Sequence, residues 1–203
     1  MSLYDFAKGV LGIYCLAFRT KVEGLENIPA DGGFIICPNH KSNNDPILLG
    51  VKLPIKLSFM AKAELFGFKP FAAILRKLGA FPVKRGKSDI GALRAALEIV
   101  KNGGRLLLFP EGTRSDLNNL KKGKAGAALI ALKANVKLLP VGICGKYGFF
   151  SKMKINIGKP IDLSEYYNKK TDTETVQMIT DKLLMPAISE LSGVVTYENR
   201  NCG

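Results

Sequence analysis

Phe34-Ile35-Ile36-Cys37-Pro38-Asn39-His40-Lys41-Ser42-Asn43-Asn44-Asp45-Pro46 is the stretch on which the reading of this chain turns. The apolar run 34–37 has the length of a buried strand, and the polar residues after it read as a strand-to-helix connection. Asp45-Pro46 reads as the helix start: an aspartate caps free amides, and proline at the first helical position gives up a donor that has no partner there. His40 is the only histidine in 203 residues. On a continuous helix Asp45 would splay away from it, but across a turn the carboxylate can fold back onto a ring nitrogen. A histidine held that way keeps one tautomer and turns a basic nitrogen outward. A loop histidine beside a helix cap has the same spacing, so the pair alone decides nothing.

Working outward, strands and helices alternate. Thr20 to Gly24 reads as a short edge strand, and Ile28 to Gly33 as a turn into the 34–37 strand. A short helix over 46–51 follows, then a second core strand from Ile55 to Met60, a helix from Pro70 to Leu78, and a third strand from Gly79 to Val83. Ser88 opens a helix with Ile90, Leu93, Ala96, Leu97 and Val100 on one face and Gly103-Gly104 as its stop. Arg105 to Phe109 is a fourth strand and Gly123 to Ala134 an alanine-rich helix. Val136 to Ile143 is an apolar strand interrupted by Pro140, and Lys154 to Ile157 a last strand. An amphipathic helix over 171–192, broken or kinked at Pro186, closes the fold. The pattern is that of one α/β domain, a mostly parallel mixed sheet flanked by helices. We divide it into an amphipathic N-terminal helix over 1–19, a main domain over 20–193 and a C-terminal tail over 194–203.

Lys and Arg exceed Asp and Glu by 13, an excess that suits nucleic acid, a phosphorylated metabolite or an acidic bilayer. Cys15, Cys37, Cys144 and Cys202 form no C-x-x-C pair and no metal-ligand spacing, which fits a reducing compartment and no metal. In the first helix, taken over residues 3–18, Leu3, Phe6, Ala7, Val10, Ile13, Tyr14, Ala17 and Phe18 make one wide apolar face. Asp5, Lys8 and its length argue against a membrane span. Such a face more commonly covers the protein's own core, while the basic chain favours a lipid surface.

Ligands of open α/β sheets gather beyond the carboxyl ends of the strands. Three polar clusters fall there: His40 to Asp45, Lys84-Arg85-Gly86-Lys87, and Glu111-Gly112-Thr113-Arg114-Ser115. Taken singly, each is also what a solvated loop looks like. Glycine between a carboxylate and a guanidinium lets the backbone approach a ligand, and arginine offers a fork suited to phosphate. No Walker A loop, G-x-G-x-x-G or G-x-S-x-G is present. What remains is a histidine base with cationic anchors, parts that suit deprotonating a hydroxyl on a phosphorylated substrate.

Asn39-His40-Lys41-Ser42-Asn43-Asn44-Asp45 resembles the N-H-x-x-x-x-D motif of the glycerophospholipid acyltransferases, among them the 1-acylglycerol-3-phosphate acyltransferases. Phe109 to Ser115 resembles the F-P-E-G-T-R-S motif of that family over its whole length. Gly79 to Arg85 is similar to its G-x-x-F-x-x-R block, with Pro82 where many members carry an aromatic residue, and Leu139 to Ile143 to its proline-containing strand.

The resemblance implies transfer of a fatty acyl group from a thioester of coenzyme A or acyl carrier protein to the free hydroxyl of lysophosphatidic acid, giving phosphatidic acid. It implies His40 as general base with Asp45 orienting it, and Arg85, Glu111, Gly112, Thr113 and Arg114 as contacts to the acceptor. Lys84 is a weaker candidate. The implied partners are lysophosphatidic acid, the thioester donor as sole co-substrate with no other cofactor, and an anionic membrane touched peripherally on its cytoplasmic face. Another acceptor of the same family, glycerol 3-phosphate or a lysophospholipid, stays open, as do the acyl chain length and the number of subunits. A nucleic-acid-binding module is the reading from a different class, disfavoured by the absence of tryptophan platforms. The tunnel measuring the acyl chain would be made of residues such as Leu48, Phe59, Leu65 and Phe68, each of which also reads as plain core.

Overall fold

The computed structural model describes residues 3–84, 89–115, 119–167, 169 and 171–194. Among these, seven strands form one sheet: β1 (Phe18–Glu23), β2 (Phe34–Pro38), β3 (Leu57–Lys62), β4 (Ala80–Val83), β5 (Arg105–Leu107), β6 (Lys137–Cys144) and β7 (Ser151–Ile157), in the order β1-β7-β6-β2-β5-β3-β4. All neighbours run parallel except β6 and β7. β1 is an edge strand, as its sequence predicts.

β2 lies at the centre and alternates between two cores, as the period of a strand dictates. Phe34 and Ile36 face one side, with Leu48, Leu49 and Leu53 of α2 (Asp45–Lys52) and Cys15 of α1 (Leu3–Cys15). Ile35 and Cys37 face the other, with α4 (Ile90–Lys101) and α5 (Gly126–Ala134). Each of these fully buried aliphatic side chains contributes about 1.5–3 kcal/mol relative to exposure. The chain leaves β2 through α2 on one face and leaves the adjacent β5 through α5 on the opposite face. Two neighbouring strands whose connections diverge open a crevice at their carboxyl ends, where ligands bind in sheets of this kind.

Several boundaries differ from the sequence reading. α1 ends at Cys15, not Phe18, because Phe18 begins β1 and is buried against the sheet. α4 begins at Ile90 with Asp89 as its cap, accepting from the Ala92 amide at 3.0 Å; the expected start, Ser88, lies outside the described residues. β6 runs unbroken through Pro140, because its missing donor falls in a gap of the ladder. Gly158 N donates to the Pro140 carbonyl, and the next contact on that side is the Leu138–Ile161 bridge.

The closing helix is three pieces: α6 (Thr173–Met178), a π-helical segment over Ile179–Leu184, and α7 (Met185–Ser192). Pro186 sits in the first turn of α7, and the widened turn before it absorbs the donor that proline lacks. Gly142 of β6 lets α7 lie directly on the strand, since an added Cβ would stand 2.2 Å from the Leu191 carbonyl carbon. Leu48 is core, Phe59 is half-buried, and Leu65 and Phe68 are exposed rather than core. Of the expected tail, residues 195–203 lie outside the described residues.

Among the described residues no helix is long and apolar enough to cross a membrane. α1 turns Leu3, Phe6, Val10, Ile13 and Tyr14 outward, and only Cys15 of the helix is fully buried. Its packing face is the narrow side, where the Tyr4 hydroxyl donates to Ile55 O and Lys8 Nζ to Leu53 O.

Candidate active site

β2 ends at Pro38, and Asn39 continues it by imitation. Its buried side-chain amide donates to Ile143 O at 3.1 Å and accepts from Ile143 N at 2.7 Å, so an amide side chain replaces one rung of the β2–β6 ladder. This pins the residue before His40 to the sheet. His40 is then clamped from the other side by the loop after β5. Its backbone N–H donates to Glu111 Oε1 at 2.8 Å, and its carbonyl accepts from Ser115 N at 2.9 Å and Ser115 Oγ at 3.1 Å. The ring stacks on Phe109, with centroids 3.9 Å apart and planes 24° from parallel.

His40 Nδ1 lies 2.8 Å from Asp45 Oδ2. Asp45 is 0% exposed and does not cap α2 as the sequence predicts; its carboxylate turns back over the loop. Oδ2 accepts from the amides of Lys41 at 2.7 Å and Ser42 at 2.8 Å as well as facing the imidazole, and Oδ1 accepts from the Tyr147 hydroxyl at 2.7 Å. A buried carboxylate surrounded by donors serves as acceptor only. Nδ1 therefore carries the proton, and Nε2 keeps its lone pair.

That nitrogen belongs to a ring lining a cleft of about 540 Å³, bordered by His40, Lys41, Asn43, Lys62, Thr113, Arg114 and Ser115. Lys41 is tethered, its Nζ donating to Gly145 O at 2.6 Å and Ile143 O at 3.3 Å, and burial pulls its pKa below the ordinary lysine value. Lys62 and Arg114 supply the remaining positive charge. The cleft thus joins a base with one fixed tautomer to cations suited to a phosphate.

The expected site residues fall in three places. His40 with Asp45, and Thr113 with Arg114, come together around the cleft. Glu111, expected to touch the acceptor, is 2% exposed with both oxygens engaged by backbone amides, Oε1 by His40 and Oε2 by Lys121 at 2.8 Å. Its carboxylate binds the two motif loops together beneath the cleft. Gly112 adopts φ +70°, a left-handed conformation that favours glycine, so glycine here serves the turn. Arg85, with most of the run Lys84 to Lys87, lies outside the described residues.

Two cleft-side residues escape the sequence reading. Lys62 ends β3, and the rule that ligands gather at strand carboxyl ends points to it once applied to that strand. Tyr147 has no such signal, because it meets Asp45 across 102 residues. Burial, followed by the adjacent carboxylate, pushes its pKa far above the ordinary tyrosine value, so the hydroxyl stays protonated and donates to Asp45. Tyr147→Phe removes one of the four donors to Asp45. A hydrogen bond to a charged group is worth about 1.5–3 kcal/mol, only part of which is felt at the imidazole. We expect kcat to fall roughly 3–10-fold, at 1.36 kcal/mol per decade, with the acceptor KM unchanged. A rise in KM with constant kcat would place Tyr147 in binding instead.

The acyltransferase family model matches residues 19–144. A 1-acyl-sn-glycerol-3-phosphate acyltransferase of Bacillus subtilis is 35% identical over 171 residues, covering 81% of this chain and 85% of that protein. One from Streptococcus pneumoniae is 30% identical over 190 residues, covering 89% and 70%. The crystal structure of the 1-acyl-sn-glycerophosphate (LPA) acyltransferase PlsC from Thermotoga maritima superposes with a TM-score of 0.70 at 29% identity, over 93% of this chain and 78% of that one. With the histidine–aspartate pair and the Phe109–Ser115 loop meeting at one cleft, the chain belongs to the acyltransferase family that contains the 1-acyl-sn-glycerol-3-phosphate acyltransferases.

Proposed function

We propose that this enzyme transfers a fatty acyl group from an acyl thioester to the free hydroxyl of 1-acyl-sn-glycerol 3-phosphate, producing phosphatidic acid in phospholipid synthesis. The observation that carries the reading is the shared cleft. His40, with Asp45 behind it, opens onto the same space as Arg114, Thr113 and Lys62, so a base and a phosphate anchor lie within one substrate's reach.

The hydroxyl oxygen of the acceptor attacks the thioester carbon while His40 Nε2 takes its proton. Collapse of the tetrahedral intermediate breaks the carbon–sulfur bond, and the thiolate recovers the proton from the imidazolium, leaving a thiol and an ester. Asp45 stabilises the transient imidazolium. No acyl-enzyme and no cofactor beyond the thioester, of coenzyme A or of acyl carrier protein, enters this scheme. An apolar cavity of about 110 Å³ between α1, α2 and β3, lined by Ala7, Leu11, Ile47, Val51, Phe59 and Leu78, is a seat for part of the donor chain. Pro46, the residue after Asp45, also lines it. The outward apolar face of α1 and the net charge of +13 support peripheral residence on an anionic membrane. The cysteine usage supports the cytoplasmic side.

The test is acyl transfer from a ladder of thioesters to lysophosphatidate, glycerol 3-phosphate and a head-group-bearing lysophospholipid, with the products separated. Lysophosphatidate is expected to be the preferred acceptor. In the same assay Arg114→Ala should raise the KM for lysophosphatidate by about 10–100-fold, the worth of one charge-assisted bond, with a smaller change in kcat. Preference for glycerol 3-phosphate would overturn the acceptor, and unchanged saturation in Arg114→Ala would remove the anchor.

A further inference from the structure

The turn between β6 and β7 carries two adjacent phenylalanines in solvent. Phe149 is 85% exposed and Phe150 65%. Their rings meet edge to face with centroids 5.2 Å apart, so each partners the other while both stay outside the core. Phe150 adopts φ +57°, a left-handed conformation that bulky side chains rarely take. A turn that holds a bulky residue there while leaving both rings exposed has the signature of strain kept for function.

The turn is not free to swing. Phe150 N donates to Ala17 O at 2.8 Å, which fixes the tip to the exit of α1. Tyr147 packs edge-on against Phe18, and Phe18 against Tyr14 of α1. The pair therefore extends the outward apolar face of α1 and its exit, where Ile13 of the helix and Leu16 just after it are each 71% exposed. Between them a groove of about 480 Å³ is lined by Ile13, Ala17, Phe18, Tyr147 and Phe149, and also by Asn44, the residue before Asp45. The exposed Lys146 and Lys152 flank the tip. Apolar rings framed by lysines match the layering of an anionic leaflet, acyl chains inside and phosphates at the rim. A protein partner would not require both features along one continuous face with α1.

We infer that the Phe149–Phe150 turn is a second bilayer contact, which inserts beside α1 into an anionic leaflet and seats the leaflet next to the loop carrying His40 and Asp45. This rests on the membrane reading proposed above. Tyr147 lies on the same turn two residues before Phe149, so the segment that meets lipid also supplies a donor to the catalytic carboxylate.

The chain contains no tryptophan, so full-length Phe149→Trp carries a single indole reporter. With vesicles of phosphatidylglycerol and phosphatidylcholine, its emission should shift to the blue and be quenched by lipids brominated along the acyl chain. Ile90→Trp, on α4 across the sheet, should do neither. Co-sedimentation is read in parallel. If the chain sediments with vesicles and Phe149→Trp emission is unmoved, the turn is not inserted and only this inference falls. If the chain stays in the supernatant, the membrane reading and this inference fall together. A Phe149→Ser, Phe150→Ser double variant should bind vesicles about 5–10-fold more weakly while keeping its rate on detergent-dispersed lysophosphatidate. Equal vesicle binding would overturn the assignment.

Discussion

His40→Ala is expected to lower kcat for acyl transfer by about 10²- to 10⁴-fold, the usual worth of a positioned general base. Alanine supplies no group that can take the hydroxyl proton, and the neighbouring cations Lys41, Lys62 and Arg114 cannot accept one while charged. The fold should survive. The three bonds that hold the backbone of residue 40, one to Glu111 and two from Ser115, are independent of its side chain. The side chain's own contributions are the stack on Phe109, which for an aromatic pair is about 0.5–1.5 kcal/mol, and the Nδ1 bond to Asp45, whose carboxylate keeps its other donors, the Lys41 and Ser42 amides and the Tyr147 hydroxyl. Circular dichroism and thermal unfolding of the purified variant check the fold, and steady-state transfer to lysophosphatidate checks the chemistry. A folded variant retaining most of its activity would remove His40 from the mechanism.

Asp45→Asn should have an effect of similar size, about 10²- to 10⁴-fold in kcat, through charge and not through packing. The carboxamide matches the carboxylate in volume. Its oxygen can occupy the Oδ2 position and keep the bonds from the Lys41 and Ser42 amides. Its amino group then faces the Tyr147 hydroxyl, which can accept in place of donating. What is lost is the negative charge that stabilises the imidazolium as the hydroxyl proton arrives. The expected split is therefore a collapse of kcat with a nearly constant KM for both substrates. Activity within a few-fold of the parent chain would mean that Asp45 serves only to shape the loop.

The parts of this enzyme legible in sequence are those whose physics is local. The apolar run 34–37 followed by a polar turn and Asp45-Pro46 is enough to place β2, the loop and α2, because strand burial and helix initiation are set within a few residues. The same holds for Arg105 to Ser115. Element ends are less legible where two elements compete for one residue. Phe18 satisfies the apolar pattern of α1 and is nonetheless taken by β1, whose burial against the sheet is the stronger term. Pro140 and Pro186 both read as interruptions; Pro140 falls in a gap of the ladder and leaves β6 unbroken, whereas Pro186 does mark an irregularity, sitting in the first turn of α7 after a widened helical segment.

Within the site, side-chain type alone leaves the place of two acids open. Asp45 reads both as a helix cap and as a brace for His40, and only the brace is seen; Glu111, which the resemblance makes a substrate contact, is buried as a tie between loops. Both outcomes depend on which backbone amides stand nearby once β2 and β5 are adjacent. By itself the sequence determined the alternating α/β pattern, the motifs by which His40 and Asp45 resemble an acyltransferase pair, and the basic surplus, because pattern and composition act along the chain. Only the tertiary structure decided that Tyr147 meets Asp45, that Lys62 joins the cleft, and that α1 and the Phe149–Phe150 turn share an outward apolar face. Those contacts form between segments far apart in the chain, where the meeting of surfaces, and not local preference, sets the free energy.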